Sequence, residues 1–175
     1  METFQSLAGL FPQVRVPSQI VLAEGCYVHK NRNEIVQRAQ ELKAKWLLFI
    51  DTDISFPVDA LDKLMKLDVD VAAAAYNYRR TPQESTIKLL GPDGDIAPGT
   101  FSHDKPFQCY AAATGFMLIK MSVFDKLPKP YFFFRYVDGK LEGEDIYFCR
   151  TVREAGLEVW CDPTIQLKHY GSYGY

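Results

Sequence analysis

The sequence predicts an α/β protein with a mostly parallel sheet flanked by helices. Segments with helical spacing alternate with short apolar runs through the first half of the chain, a pattern that favours parallel strands joined by right-handed crossovers. The run Trp46–Ile50 is continuously apolar, as expected for a strand buried on both faces. The 175 residues are 47% apolar and 24% charged, which is typical of a globular protein. We therefore expect one domain spanning residues 1–175.

The individual elements follow from local patterns. Ile35, Val36, Ala39 and Leu42 recur at helical spacing, and Pro57 suits the first turn of a helix. Residues 79–108 are rich in proline, glycine and charge, which predicts a long loop or a hairpin. The predicted elements, in chain order, are a strand at Ser18–Ala23, a helix at Asn33–Lys45, a strand at Trp46–Ile50, a helix from Pro57 to about Leu67, strands at Val69–Tyr76 and Tyr110–Lys120, a short helix at Ser122–Leu127, an extended aromatic segment at Tyr131–Tyr136, a helix at Gly143–Ala155, and short strands at Leu157–Cys161 and Ile165–Lys168.

Charge and composition narrow the classes of function. The net charge of −2 and a pI of about 5.9 argue against nucleic-acid binding, which normally requires a basic surface. The N-terminal sequence lacks the pattern of a signal peptide, and the apolar runs are too short for a transmembrane segment. The scattered cysteines indicate buried free thiols. We expect a soluble, cytoplasmic protein.

Two carboxylates, Asp51 and Asp53, directly follow the apolar strand Trp46–Ile50. Ligands of open α/β sheets gather at the carboxyl ends of strands, and alternate residues of an extended segment point the same way. Two adjacent like charges favour a cation between them, and carboxylate oxygens suit Mg²⁺ or Mn²⁺. Such an ion would bridge to a diphosphate and neutralise the charge of the leaving group. The same residues could instead cap the helix near Pro57 or begin a turn.

A second acidic pair, Glu144 and Asp145, lies at the start of a predicted helix. Carboxylates there are stabilised by the helix dipole, so capping alone explains them. The functional interpretation is a general base that takes the proton of an acceptor hydroxyl. The aromatic run before the pair could stack on a sugar or belong to the core. His169, after the last short strand, is either a surface residue or a further metal ligand, whereas His29 and His103 have the context of surface residues.

These features, in this order, resemble the GT-A glycosyltransferases, and most closely the small bacterial and phage-type proteins related to family 2. The resemblance rests on HKNRNEIVQRAQ, WLLFIDTDISFPVDALDKL, DVAAAAYNYRRTP, AAATGFMLIKMSVF, GEDIYFCRTVREAGLEVWCDP and HYG. It extends from about Gln19 to Tyr170. It implies a Rossmann-like GT-A sheet and a metal-dependent transfer of sugar from a nucleotide-sugar donor to an unknown sugar, lipid or protein acceptor.

The resemblance also implies roles for individual residues. Asp53 is the main metal ligand, Asp51 contacts the metal or the ribose, and His169 completes the site for Mn²⁺ or Mg²⁺. Asp145 is the catalytic base of an inverting enzyme, and Glu144 orients the acceptor. Arg32 lies near the nucleotide, and Gly115 leaves space for the donor sugar or the acceptor. The neighbouring arginines, Arg79 and Arg80, contact phosphate or acceptor, or form a solvated pair.

The chain departs from the family pattern at its beginning, where we expect the first, base-binding strand to be missing. An edge exposed in this way would favour pairing with another chain, such as in a homo-oligomer. It also leaves open a protein that binds nucleotide-sugars without turnover. A third alternative is a phosphatase of the haloacid dehalogenase type, since LLFIDTDIS resembles its nucleophile strand. Ile54 and Ser55 depart from that motif.

Overall fold

The computed structural model describes residues 1–79, 82–91, 96–102 and 104–171. The α-helices are Glu2–Leu10 (α1), Val28–Glu41 (α2), Ala60–Lys66 (α3) and Glu144–Glu154 (α4), and short 3-10 helices span Phe11–Gln13 and Met121–Val123. The strands are Trp46–Ile50 (β1), Ile54–Ser55 (β2), Val71–Ala74 (β3), Lys88–Leu90 (β4), Ile96–Pro98 (β5), Phe107–Gln108 (β6), Phe116–Lys120 (β7), Arg135–Val137 (β8), Lys140–Glu142 (β9), Val159–Asp162 (β10) and Lys168–His169 (β11).

The central sheet has the strand order β1-β7-β3-β10-β6. β7 runs antiparallel to both β1 and β3, and β6 runs antiparallel to β10. Within the described residues of this sheet, β3 and β10 are the one parallel pair of neighbours. The prediction of a mostly parallel, Rossmann-like sheet flanked by helices is therefore wrong. The sheet is mixed and mostly antiparallel, with few helices.

The error arises in the connection that follows β3. The predicted alternation holds from β1 through α3 to β3, but the chain then passes through the β4–β5 hairpin instead of a crossover helix. It returns as β7, which lies between β1 and β3 and pairs Phe116 with Ile50. Strand direction depends on this long-range placement, which hydrophobic periodicity does not encode.

Side chains on the two faces of the sheet form two cores, as strand alternation requires. On one face, Phe49 and Met117 pack with Val36 of α2 and Phe148 of α4. On the other face, Phe116 and Leu118 pack with Leu64 of α3 and Leu10 of α1. The packing therefore fixes the starts of α2 and α4 on the same side of the sheet.

Most predicted elements are present with shifted ends. The strand Trp46–Ile50 has the predicted bounds, the helix expected from Asn33 begins five residues earlier at Val28, and α4 lies within the predicted Gly143–Ala155. The predicted strand Ser18–Ala23 is wrong, because those residues have no regular secondary structure and Leu22 is exposed. In the described ranges, none of the helices has the length and apolar character required to cross a membrane.

Candidate functional site

The segment Asp51–Asp53 forms a tight turn between β1 and β2. The Asp51 amide donates to the carbonyl of Gly115 (2.9 Å), and the Ile54 amide donates to the carbonyl of Asp51 (3.3 Å). The extended geometry expected for this segment is therefore wrong. Because the chain turns here, the two carboxylates contact different groups, Asp51 on the side of α2 and Asp53 on the side of β11.

Arg32 connects the two acidic motifs of the sequence. Its side chain projects from α2, is buried, and forms an ion pair with Glu144 at the start of α4. Its Nη2 atom lies 3.6 Å from Asp51 Oδ1. A buried guanidinium requires such partners, since an unpaired charge in the interior is strongly destabilising. Arg32, which was expected beside a nucleotide, thus holds Asp51 and Glu144 together.

Asp145 has an unusually high affinity for a proton. Burial of its side chain, followed by the neighbouring charge of Glu144, raises its pKa to about 6, while Arg32 acts in the opposite direction. Its Oδ1 atom accepts a hydrogen bond from the Ile146 amide (2.8 Å). A carboxylate with a pKa near the working pH is suited to general-base catalysis.

Tyr76, which the sequence interpretation did not single out, lies at the centre of the site. It directly follows the apolar run Val71–Ala75, is 8% exposed, and its ring packs edge-on against His169 at 5.1 Å. Burial, then the charges of Asp51 and Asp145, raise the pKa of its hydroxyl, so the hydroxyl keeps its proton. A tyrosine at the carboxyl end of a buried strand is the signal that could have identified it.

Gly115 is required by Tyr76. A Cβ atom at this position would overlap the Tyr76 hydroxyl, would lie 2.8 Å from Tyr76 Cζ, and would lie 3.0 Å from Asp51 Oδ2. The space that was predicted to accommodate a donor sugar or an acceptor is therefore filled by the protein's own side chains.

Replacing Gly115 with alanine is expected to destabilise the protein by about 2 kcal/mol, because the added methyl overpacks a buried site. Urea denaturation of the purified variant would measure this change. The double variant Gly115→Ala/Tyr76→Phe should recover part of the loss, since it removes the overlapping hydroxyl. If the two variants have equal stability, the Tyr76 hydroxyl is not the constraint.

His169 and Asp53 form the second half of the site. β11 pairs with β2 so that His169 lies opposite Ile54. The His169 Nδ1 atom lies 2.9 Å from the carbonyl oxygen of Asn77, and a carbonyl only accepts, so Nδ1 donates. In the neutral imidazole, Nε2 then has a free lone pair, and it lies 3.5 Å from Asp53 Oδ2. Metal-binding histidines are commonly oriented in this way, by a hydrogen bond from the other ring nitrogen.

Arg79 also contacts Asp53. Its Nη1 atom lies 3.0 Å from Asp53 Oδ2 and donates to the carbonyl of Tyr170 (2.9 Å). Arg80 and His103 lie outside the described residues. Across residues 1–79, 82–91, 96–102 and 104–171, no three His, Cys, Asp or Glu side chains are grouped as a metal site, and Asp51 does not join Asp53 and His169.

The aromatic run before α4 divides between core and surface. Tyr131 and Phe132 are buried, and Phe132 stacks on Phe148 at 4.7 Å. Phe133 and Tyr136 are 44% and 75% exposed. Only the exposed members of this run are accessible to a ligand.

A cavity of about 770 Å³ opens beside the site and shares Tyr76 and Asn77 with it. Ser55 and Tyr170 lie on its wall, with apolar groups such as Phe56 around them. Its volume is in the range of small-molecule sites.

Comparison with known proteins supports the fold alone. No protein-family model matches the sequence. No curated protein matches it either. Among solved structures, the chain is similar to A197 from STIV, with a TM-score of 0.64 and 20% sequence identity over 87% of this chain and 72% of that one. The chain therefore shares the fold of A197 from STIV.

Proposed function

We propose that the protein uses Mn²⁺ or Mg²⁺ to transfer a sugar from a nucleoside-diphosphate donor to an acceptor hydroxyl. The observation that carries the proposal is the convergence of the Asp53 carboxylate and the oriented Nε2 atom of His169, 3.5 Å from Asp53 Oδ2. Tyr76 lies between this pair and the other carboxylates, because it packs against His169 and its pKa is raised by burial and then by the charges of Asp51 and Asp145.

The residues present fit a divalent ion. One carboxylate oxygen and one imidazole nitrogen suit Mn²⁺, and Mg²⁺ is commonly held by one or two carboxylates together with substrate phosphates and water. Asp53 and His169 would hold the ion, whereas Asp51 forms an ion pair with Arg32. When bound, the ion would supply positive charge to the leaving diphosphate.

The remaining groups account for the acceptor half of the reaction. Asp145, with its pKa raised to about 6, takes the proton of the acceptor hydroxyl. Arg32 pairs with Glu144 and Asp51, which limits the negative charge around Asp145. The Tyr76 hydroxyl stays protonated and serves as a hydrogen-bond donor. The acceptor itself is a sugar, a lipid or a protein.

A thermal-shift screen of UDP, GDP and CDP, with and without Mn²⁺, tests the proposal. At a ligand concentration 100 times Kd, binding to the native state adds about 2.7 kcal/mol, which corresponds to a rise in Tm of roughly 5–10 °C for a chain of this size. The rise should require both Mn²⁺ and the nucleotide. No rise with any of the three nucleotides at millimolar concentration contradicts the proposal. Binding of a nucleotide-sugar without transfer or hydrolysis would indicate a binding protein instead.

A further inference from the structure

Two groups face the same oxygen atom of Asp53. Arg79 Nη1 lies 3.0 Å from Oδ2, and His169 Nε2 lies 3.5 Å from it. In the neutral imidazole that donates through Nδ1 to the Asn77 carbonyl, Nε2 is an acceptor, as is the carboxylate oxygen of Asp53. The guanidinium of Arg79 is thus the cation beside the pair that would hold a divalent ion.

The contacts of Arg79 allow it to move. Its side chain is 49% exposed, and Asp53 is 32% exposed. Among the described residues, it also donates a hydrogen bond to the backbone carbonyl of Tyr170. An exposed ion pair of this kind is weak because water screens it, so Arg79 can leave Asp53 without disturbing either core.

A divalent ion and a guanidinium would compete for Asp53 Oδ2, since their positive charges repel each other. A diphosphate resolves this competition because it offers several anionic oxygens. Guanidinium groups bind phosphate oxygens through two parallel hydrogen bonds, which an ammonium group cannot do. The anion that best accommodates both cations is therefore a nucleoside diphosphate.

We propose that Arg79 is an exchangeable counter-ion: it pairs with Asp53 in the metal-free protein and transfers to the donor diphosphate when metal and donor bind. This inference rests on the proposed function. It makes Arg79 a specificity-determining residue for diphosphates, and it makes the binding of metal and diphosphate mutually favourable. Such coupling is reciprocal, so each ligand raises the affinity for the other by the same factor.

The experiment measures Mn²⁺ binding from the signal of free Mn²⁺ in electron paramagnetic resonance, first with Mn²⁺ alone and then with saturating UDP, GDP or CDP. The variants are Arg79→Gln, Arg79→Lys and, as a matched control, Arg38→Gln. Arg38 is an exposed arginine of α2 that pairs with Glu41. Both positions are exposed, so all three variants should fold, and circular dichroism would check this.

Arg79→Gln should bind Mn²⁺ alone about fivefold more tightly, since a surface ion pair of ordinary strength no longer competes. In the same variant, the factor by which the nucleotide raises the affinity for Mn²⁺ should be about tenfold smaller, within the usual range of coupling between sites. Arg79→Lys keeps the charge but not the planar fork, so Mn²⁺ alone should bind as in the unmodified protein while the enhancement falls. Arg38→Gln should change neither quantity.

Failure of this inference is distinct from failure of the proposed function. Suppose that the unmodified protein binds nucleotide in a Mn²⁺-dependent way. If Arg79→Gln then has the same affinity for Mn²⁺, both alone and with nucleotide, the counter-ion role is wrong and the proposed function stands. Loss of nucleotide enhancement without tighter binding of Mn²⁺ alone also overturns the exchange. If the unmodified protein binds neither Mn²⁺ nor the Mn²⁺–nucleotide pair, both proposals are wrong.

Discussion

Asp53→Ala is expected to abolish Mn²⁺-dependent binding of a nucleoside diphosphate. In the proposed metal site, Asp53 would supply the carboxylate and His169, 3.5 Å away, the one other protein ligand. Removal of residues that merely orient metal ligands lowers metal affinity about 10–100-fold, so loss of a ligand itself should cost at least about 100-fold. The measurement is the Mn²⁺-dependent rise in Tm with the nucleotide that the screen selects, supported by calorimetric titration.

Asp59→Ala is a matched control for this experiment. Asp59 lies six residues further along, directly before α3, and its exposed carboxylate pairs with Lys63 at 3.0 Å. This variant should bind as the unmodified protein does. The variant Asp51→Asn distinguishes the role of Asp51 from that of Asp53. If Asp51→Asn loses metal-dependent nucleotide binding while Asp53→Ala retains it, the ion is bound by Asp51. Retention of binding in both variants would place the site elsewhere.

The parts of the fold that the sequence predicted are those determined by local interactions. The continuous apolar run Trp46–Ile50 predicted a strand, and its bounds are as predicted. The expected burial on both faces is wrong, because β1 is an edge strand in which Phe49 is buried and the other residues are half-buried. The helix Glu144–Glu154 lies within the predicted Gly143–Ala155 and begins with the acidic pair, and Gly156, with a positive φ of 75°, directly follows its last turn. Such signals involve residues close in sequence, so they do not depend on the topology.

No local sequence signal indicated the relative directions of the strands in the sheet. β7 is a strand in either orientation, because Phe116–Lys120 is apolar enough to be buried on both faces. Its placement between β1 and β3 is set by the long excursion through the β4–β5 hairpin. The segment Ser18–Ala23 shows the opposite error, since a strand-forming composition remains without regular structure when no neighbouring strand pairs with it in the described part of the chain.

The sequence predicted candidate residues for the site but not how they are arranged in space. The order of the acidic motifs and His169 indicated which side chains to consider. The turn at Asp51–Asp53, which separates the two carboxylates, depends on a hydrogen bond to Gly115, more than 60 residues away. Tyr76 likewise gains its position from Gly115 and His169. Contacts between distant segments therefore place the two carboxylates of the linear motif in two neighbouring clusters of side chains.

Arg32 explains how these two sites coexist in a small volume. Asp51, Glu144 and Asp145 would repel one another without a cation, and Arg32 pairs with the first two of them. Burial, followed by the charge of Glu144, raises the pKa of Asp145 even though Arg32 lowers it. The arrangement therefore neutralises two carboxylates and leaves the third able to exchange a proton near neutral pH.

Asp145→Asn is expected to lower the rate of sugar transfer about 10²–10⁴-fold, the usual contribution of a general base. Mn²⁺-dependent nucleotide binding should be retained, because Asp53 and His169 are unchanged. In the unmodified protein, the proposed transfer would require the deprotonated carboxylate, so the rate should rise with pH through a midpoint near the pKa of about 6. A rate that is independent of pH between about 5 and 7.5, or an Asp145→Asn variant with full activity, contradicts the role of base.

The same substitution should make the folded protein more stable at neutral pH, by about 1–3 kcal/mol. The pKa of Asp145 is raised from 3.8 to about 6 in the folded state, so between these values the folded state binds more protons than the unfolded state. Stability of the unmodified protein therefore falls as pH rises through this window, and the Asn variant lacks this loss. Urea denaturation at pH 4 and at pH 7.5 should show nearly equal stabilities at the lower pH and a more stable variant at the higher one. Equal stabilities at pH 7.5 would mean that Asp145 is well solvated, and the pH dependence of transfer would then have to come from another group.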